Sequence, residues 1–307
     1  MTDFLPPHKP PWADASAARR GRDSKAVDRP GARRPAGVAE RCESLLMAFF
    51  DCLFQRIPRR CPTTEMRHRF RIVSHRGEYD NLRVYENTLP AFERALAGGV
   101  WGLEFDVRWT RDLHPVVIHD PDTGRVFGGD LVIARTCYAD LKVSYPMIPA
   151  LEEVVYRFGR RAHLMVEVKQ EHYPAPESQN RMLADLFSGL TPQSHYHLIS
   201  LDPEVLDRFN RLPAQAKMPI ARLHVDRMVE QVRRKNYGGL LGHYVLIDNR
   251  ILRRCRHMNR PVGTGFVNSK NCLFREFRRG VQWVFSDRAA AMQAVFDRVF
   301  TNPGHRA

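Results

Sequence analysis

Four short stretches of the chain each end on residues able to do chemistry: His75 and Arg76 in "IVSHRG", Glu104 and Asp106 in "GLEFDV", His119 and Asp120 in "PVVIHD", and Glu167 and Lys169 in "HLMVEVK". Each follows an apolar run and so closes a candidate buried strand. Glu104 and Asp106 are two apart, which on a strand puts both on one side. With Glu167 brought up by another strand they make three carboxylates facing one space. Such a set repels itself unless a cation binds, and all-oxygen ligation suits one hard divalent ion, Mg²⁺ or Ca²⁺. The plainer alternative is three strand-end acids paired with arginines. His75 and His119 flank the acids, where one imidazole can take a proton from a nucleophile and the other give one to a leaving group. A single strand-end histidine is more often a hydrogen-bonded core residue, but two on the same face as three acids favour catalysis. Arg76 and Lys169 supply positive charge for a phosphate, the arginine through paired hydrogen bonds and the lysine as a point charge. Salt bridges to the same carboxylates are compatible with that role. Glu86 and Asn87 stand before the helical run "LPAFERAL". Asn87 or Thr88 is a candidate helix cap, with Pro90 in the first turn. Capping leaves Glu86 unexplained, so Glu86 and Asn87 are candidate substrate-binding or supporting residues.

These pairs can meet only if the elements carrying them end on one face. From Met66 onward, short apolar runs alternate with helical stretches: "FRIVSH", "GLEFDV", "PVVIHD", "HLMVEVK", "HYHLIS", "KMPIARL", "LLGHYVLI", "PVGTGFVN" and "VQWVFSD", with helices starting near Leu89, Ala150, Pro203, Val225, Asn249 and Asn271. Continuous apolar strands alternating with helices indicate a parallel sheet covered on both faces, and about 240 residues of it favour a (β/α)8 TIM-type barrel over an open doubly wound sheet. In such a barrel the C-terminal strand ends form one cup. The count is nine strands, one too many, and "KMPIARL" and "LLGHYVLI" have the least clear boundaries.

"HRG", "ENTLPAF", "GLEFDVRWTRD", "PVVIHD" and "VEVK" occur in an order and spacing that resemble the glycerophosphodiester phosphodiesterase family, and "GFVN" and "GVQWVFSD" look like its later strand ends. The resemblance runs from about Arg69 to Asp287. It implies a (β/α)8 barrel, a divalent metal held by Glu104, Asp106 and Glu167, and an acid/base pair of His75 and His119. It also implies that Arg76 and Lys169 hold the phosphodiester. The implied reaction releases sn-glycerol 3-phosphate and an alcohol: a neighbouring hydroxyl attacks to give a cyclic phosphate, which water then opens. Three features depart from the family's smaller members: a longer stretch from Gly77 to Glu86, Phe266 where tryptophan is common, and an extension before Met66. They bear on the substrate, not on the reaction. The competing readings are a phospholipase D or lysophospholipase D acting on lipid phosphodiesters, and a catalytically silent phosphate-binding barrel. "ENTLPAF" speaks against a sphingomyelinase-type phospholipase D, and intact His75 and His119 speak against a silent barrel.

Composition bounds the rest. The 307 residues are 43% hydrophobic and carry a formal net charge of +14. A sizeable core is available, and the surface favours anions. The basic residues are dispersed and no nucleic-acid-binding motif is present, so nucleic acid is not an expected partner. Six cysteines without a CxxC pair fit a reducing cytoplasm. Residues 1–37, rich in Pro, Ala, Arg and Asp, read as a disordered extension. Residues 38–60 read as an amphipathic helix stopped by Pro58. That helix either covers the bottom of the barrel, the favoured reading, or touches an anionic membrane surface peripherally. The barrel domain is expected over 66–307, and the sequence does not fix an oligomeric state.

Overall fold

The computed structural model describes residues 53–62 and 64–301, in which every one of the nine apolar runs forms a strand. They are β1 Arg71–His75, β2 Gly102–Trp109, β3 Pro115–Val117, β4 His163–Val168, β5 Tyr196–Ser200, β6 Lys217–Ala221, β7 Leu240–His243, β8 Val262–Gly265 and β9 Trp283–Ser286. All but β3 are parallel, in the order β1-β9-β8-β7-β6-β5-β4-β2, and pairing of β1 with β2 closes the barrel. The helices are α1 Leu89–Ala97, α2 Gly124–Phe127, α3 Tyr138–Ser144, α4 Leu151–Phe158, α5 Pro176–Leu186, α6 Pro203–Arg208, α7 Val225–Arg234, α8 Asn249–His257, α9 Lys270–Arg279 and α10 Ala289–Thr301.

The apolar faces fill two layers. Phe92, Phe105 and Phe158 lie between strands and helices, while Val73, Met165, Ile199, Met218, Leu241 and Phe285 fill the barrel interior. Below that inner layer the barrel is plugged by rings rather than aliphatics. His163 stacks on Trp101, His197 lies against Trp283, and the two imidazoles share a 2.8 Å hydrogen bond. At the same end, the start and finish of the barrel meet: Phe70 stacks on Phe296, and the Arg67 guanidinium lies 5.3 Å from the centre of the Phe300 ring.

The ninth strand is not one of the two with unclear boundaries. β6 and β7 both stand in the barrel, and the extra strand is the "PVV" of "PVVIHD", which pairs antiparallel with β2. Only Thr110–His114 link β2 to β3. A parallel crossover needs a dozen or more residues, so this link can make only a hairpin. His119 therefore enters the cup from a hairpin laid across the top of β2. Ile118 N–H donates to the Asp106 carbonyl (2.9 Å), and Arg108 Nε donates to the His119 carbonyl (2.7 Å).

The expected extension at 1–37 and most of the expected helix at 38–60 lie outside the described residues. The described part of that helix packs on the barrel, but not at its bottom. Phe54 meets Tyr244 edge-on at 6.0 Å, the Arg275 guanidinium lies 4.8 Å from the centre of the Phe54 ring, and Asn271 Nδ2 donates to the Gln55 carbonyl. Tyr244 follows β7 and Asn271 opens α9, so this contact lies at the C-terminal end of the strands. Among the described residues no helix is long and apolar enough to cross a membrane.

Candidate active site

β1 delivers His75 and then turns sharply. Arg76 adopts φ 60° and Gly77 φ 87°. A Cβ on Gly77 would fall 2.6 Å from the Ala91 Cβ and 2.8 Å from its carbonyl carbon, so the close approach of this turn to α1 requires glycine. The same turn presents the Arg76 N–H to the Glu104 carbonyl at 2.9 Å and to its carboxylate at 3.2 Å. Asn87, also left-handed at φ 59°, donates its backbone N–H to the Arg76 carbonyl (2.9 Å). Left-handed non-glycine residues are held only where their surroundings over-determine them. Asn87 does not cap α1: its side chain donates to Asp106 Oδ2 at 2.8 Å and accepts from the Asp106 N–H at 3.3 Å. Thr88 occupies the cap position without a side-chain capping bond.

Glu104, Asp106 and Glu167 meet as the strand arithmetic requires. All three are buried, and one carboxylate oxygen from each lies within 4.8 Å of the others. Lys169 Nζ stands 2.5 Å from Asp106 and 2.6 Å from Glu167, and Arg76 Nε lies 3.1 Å from Asp106. The salt bridges expected of the basic residues are thus made. The neutralisation is uneven. Burial disfavours the charged form of Asp106, but Lys169 and Arg76 outweigh it and hold that carboxyl far below its usual range. Glu104 is pushed up by burial and by the charge of Asp106. The cluster holds more negative charge than its own cations balance, and a hard divalent ion fits such a set of donors.

Each histidine keeps Nδ1 on a carboxylate: His75 on Asp287 at 2.6 Å and His119 on Asp120 at 3.0 Å. Nε2 of His75 is 3.8 Å from Glu104. Burial opposes protonation of His75, but Glu104 and the Asp287 bond outweigh it and raise its pKa above 6.5. Asp287 is itself fixed by Asn268 Nδ2 (2.8 Å), and Asp120 by Arg125 Nε (2.6 Å). Glu86 sits beneath this layer, accepting from Arg76 (3.0 Å), Asn81 (3.0 Å) and both terminal nitrogens of Arg125. It ties the β1 turn to the segment that carries Asp120.

The four residues not assigned from sequence are Asp287, Asn268, Asp120 and Arg125. Asp287 carried a usable signal, since it ends the closing strand as His75 ends the first, and barrel closure makes those strands neighbours. Arg125 carried none. The rim is unlike the floor: Phe266, Leu201 and Leu223 stand exposed just beyond β8, β5 and β6, and the Phe266 ring lies edge-on to His75 at 5.3 Å.

Comparison with known proteins gives a consistent picture. The model of the glycerophosphoryl diester phosphodiesterase family matches residues 75–291. The glycerophosphodiester phosphodiesterase of Caldanaerobacter subterraneus is 34% identical over 110 residues, 32% of this chain and 44% of that one. The Bacillus altitudinis protein of the same name is 32% identical over 124 residues, 36% of this chain and 50% of the relative. The chain thus spans about half the length of these relatives or less. Among solved structures, the Thermotoga maritima glycerophosphodiester phosphodiesterase superposes with a TM-score of 0.63 at 22% identity, covering 74% of this chain and 98% of that one. An Oleispira antarctica phosphodiesterase, solved in complex with the product sn-glycerol-3-phosphate, gives 0.62 at 23% identity, with 74% and 96% covered. These structures share the barrel. A family match that runs from His75 to beyond the closing strand puts the chain in the glycerophosphoryl diester phosphodiesterase family.

Proposed function

We propose that the protein is a metal-dependent phosphodiesterase that hydrolyses glycerophosphodiesters to sn-glycerol 3-phosphate and an alcohol. The observation that carries this reading is the pair of imidazoles, each tied through Nδ1 to an aspartate, beside three buried carboxylates and two cations. An aspartate on Nδ1 fixes the tautomer and leaves Nε2 for proton transfer. Nε2 of one histidine takes the proton of the substrate hydroxyl next to the phosphate as that oxygen attacks phosphorus. Nε2 of the other protonates the oxygen of the departing alcohol as its bond to phosphorus breaks. Water then opens the cyclic phosphate with the two roles exchanged. Arg76 and Lys169 hold the phosphoryl oxygens, and Glu86 and Asn87 keep Arg76 and Asp106 in place. Glu104, Asp106 and Glu167 would hold a divalent cation, which would supply charge stabilisation for the phosphoryl group and a lowered pKa for the attacking hydroxyl. The four cysteines among the described residues are all unbridged, which supports a cytoplasmic setting.

The exposed rim of Phe266, Leu201 and Leu223 favours one second reading, lysophospholipase D activity, because an acyl chain on the substrate's glycerol would lie against it. Turnover of glycerophosphocholine and of lysophosphatidylcholine, measured with and without divalent metal, decides between them. The expected outcome is turnover of the first, loss on chelation, and recovery with Mg²⁺ or Ca²⁺. Full activity of the metal-free protein would overturn metal dependence, and a preference for the lysolipid would establish the second reading.

A further inference from the structure

A second concentration of positive charge lies outside the cup. Where the chain enters the barrel, Pro58, Arg59 and Arg60 face the start of α8 and the outer side of α9, enclosing a cavity of about 680 Å³. Five arginines line it: Arg59, Arg60, Arg275, Arg278 and Arg279. Only one acidic side chain, Asp248, shares the lining, and its carboxylate is engaged in capping α8 through the Ile251 N–H at 2.8 Å. Arg275 and Arg279 both spend their charge on one fully buried carboxylate, Glu276. Among the described residues, Arg59, Arg60 and Arg278 have no carboxylate within ion-pairing distance. Nε of Arg59 is buried yet makes no hydrogen bond.

Five guanidinium groups around one cavity repel one another, and a buried N–H left unpaired costs free energy. Packing accounts for Arg275, which holds Phe54 and Glu276, and for Arg279, which pairs with Glu276, but not for Arg60 and Arg278, which are exposed. The arginine is also the side chain best shaped to hold a phosphate through paired hydrogen bonds. Burial holds Arg279 below its ordinary pKa despite Glu276, with Arg275 adding to the effect, as expected where positive charge is in excess.

We propose that this cavity is a binding site for a phosphate group, separate from the catalytic cup and completed by Arg59 and Arg60 of the entering segment. The group comes either from a soluble phosphate or from the headgroup of an anionic lipid. The cavity lies between the start of α8 and the second half of α9.

The test uses the full chain with Mg²⁺ and compares it with the double variant Arg60→Ser/Arg278→Ser and, separately, with Arg59→Ser. In the first arm inorganic phosphate is titrated by calorimetry. The parent is expected to take one equivalent more than the variants, or to bind that equivalent at least roughly tenfold more tightly, the factor carried by one charge-assisted hydrogen bond. The difference between parent and variant reports this cavity alone, whatever the cup binds. In the second arm, phosphatidylcholine vesicles doped with phosphatidic acid are sedimented with each protein, and the variants are expected to lose co-sedimentation. Loss in the vesicle arm alone assigns the site to lipid, and loss in the titration alone assigns it to soluble phosphate. Unchanged stoichiometry, affinity and co-sedimentation would overturn the proposal.

Discussion

At the scale of single residues, each histidine of the cup has an aspartate on Nδ1, Asp287 for His75 and Asp120 for His119, and Nε2 of His75 faces Glu104 at 3.8 Å. Both sit at the mouth of the barrel and not in its packed layers, so His75→Ala and His119→Ala are expected to fold normally. Each should lower kcat by roughly 10² to 10⁴, the usual contribution of a general acid or base. Circular dichroism checks the fold and steady-state assays check the rate; a folded variant with near-normal turnover would remove that histidine from the mechanism. Residue types and strand-end positions made the two histidines, the three acids, Arg76 and Lys169 visible in the sequence. Asn87 stood as a candidate supporting residue, but its partner was not visible, because a position before a helix has a local explanation, capping, while its amide in fact reaches across 19 residues of sequence to Asp106. Arg125 was hidden for the same reason: Glu86 and Asp120 come to it only through the fold.

At the scale of elements, the turn after β1 carries the most constraint in the fewest residues. Gly77→Ala would place a methyl against the Ala91 backbone at a φ that alanine adopts at a cost. The expected destabilisation is roughly 2–5 kcal/mol, combining backbone strain with overpacking. Urea denaturation of the purified variant measures it, and a midpoint equal to the parent's would mean that α1 can move aside. The βα alternation was legible from apolar runs because strands covered on both faces need apolar residues at every position; β4 is buried throughout. What escaped was direction. "PVV" has the composition of a barrel strand, and only the five residues Thr110–His114 linking it to β2 reveal a hairpin. The end of the helix expected at 38–60 was misplaced because an amphipathic stripe states that a face is covered, not by what. The covering partners of Phe54, Tyr244 and Arg275, come from nearly two hundred residues or more away in the chain.

At the scale of the whole molecule, the ring plug at the bottom of the barrel makes stability depend on pH without touching the cup. Burial lowers His163 to about 4 and His197 to about 3, so both are neutral in the fold, whereas the unfolded chain protonates them near 6.5. Between those values the unfolded state binds more protons, and stability rises with pH. Their contribution is therefore intact above about pH 6.5 and shrinks as pH falls toward 4, by roughly 3 kcal/mol for His163 alone. Urea midpoints measured from about pH 7.5 to about 4.5, spanning the ordinary histidine pKa, should decline more steeply in the parent than in His197→Gln, and parallel curves would acquit the pair. The closure of the barrel has another consequence. β1 is bonded to β9 from Arg71 opposite Trp283 onward, and Arg67 rests on Phe300, so residues 64 and 301 belong to one neighbourhood. A circular permutant that links them by a short spacer and opens new termini at Gly189, where even an added methyl meets nothing, should unfold cooperatively and keep its turnover. The order in which the strands are synthesised would then be an accident of where the gene begins, and the ring of hydrogen bonds the only beginning the barrel itself recognises.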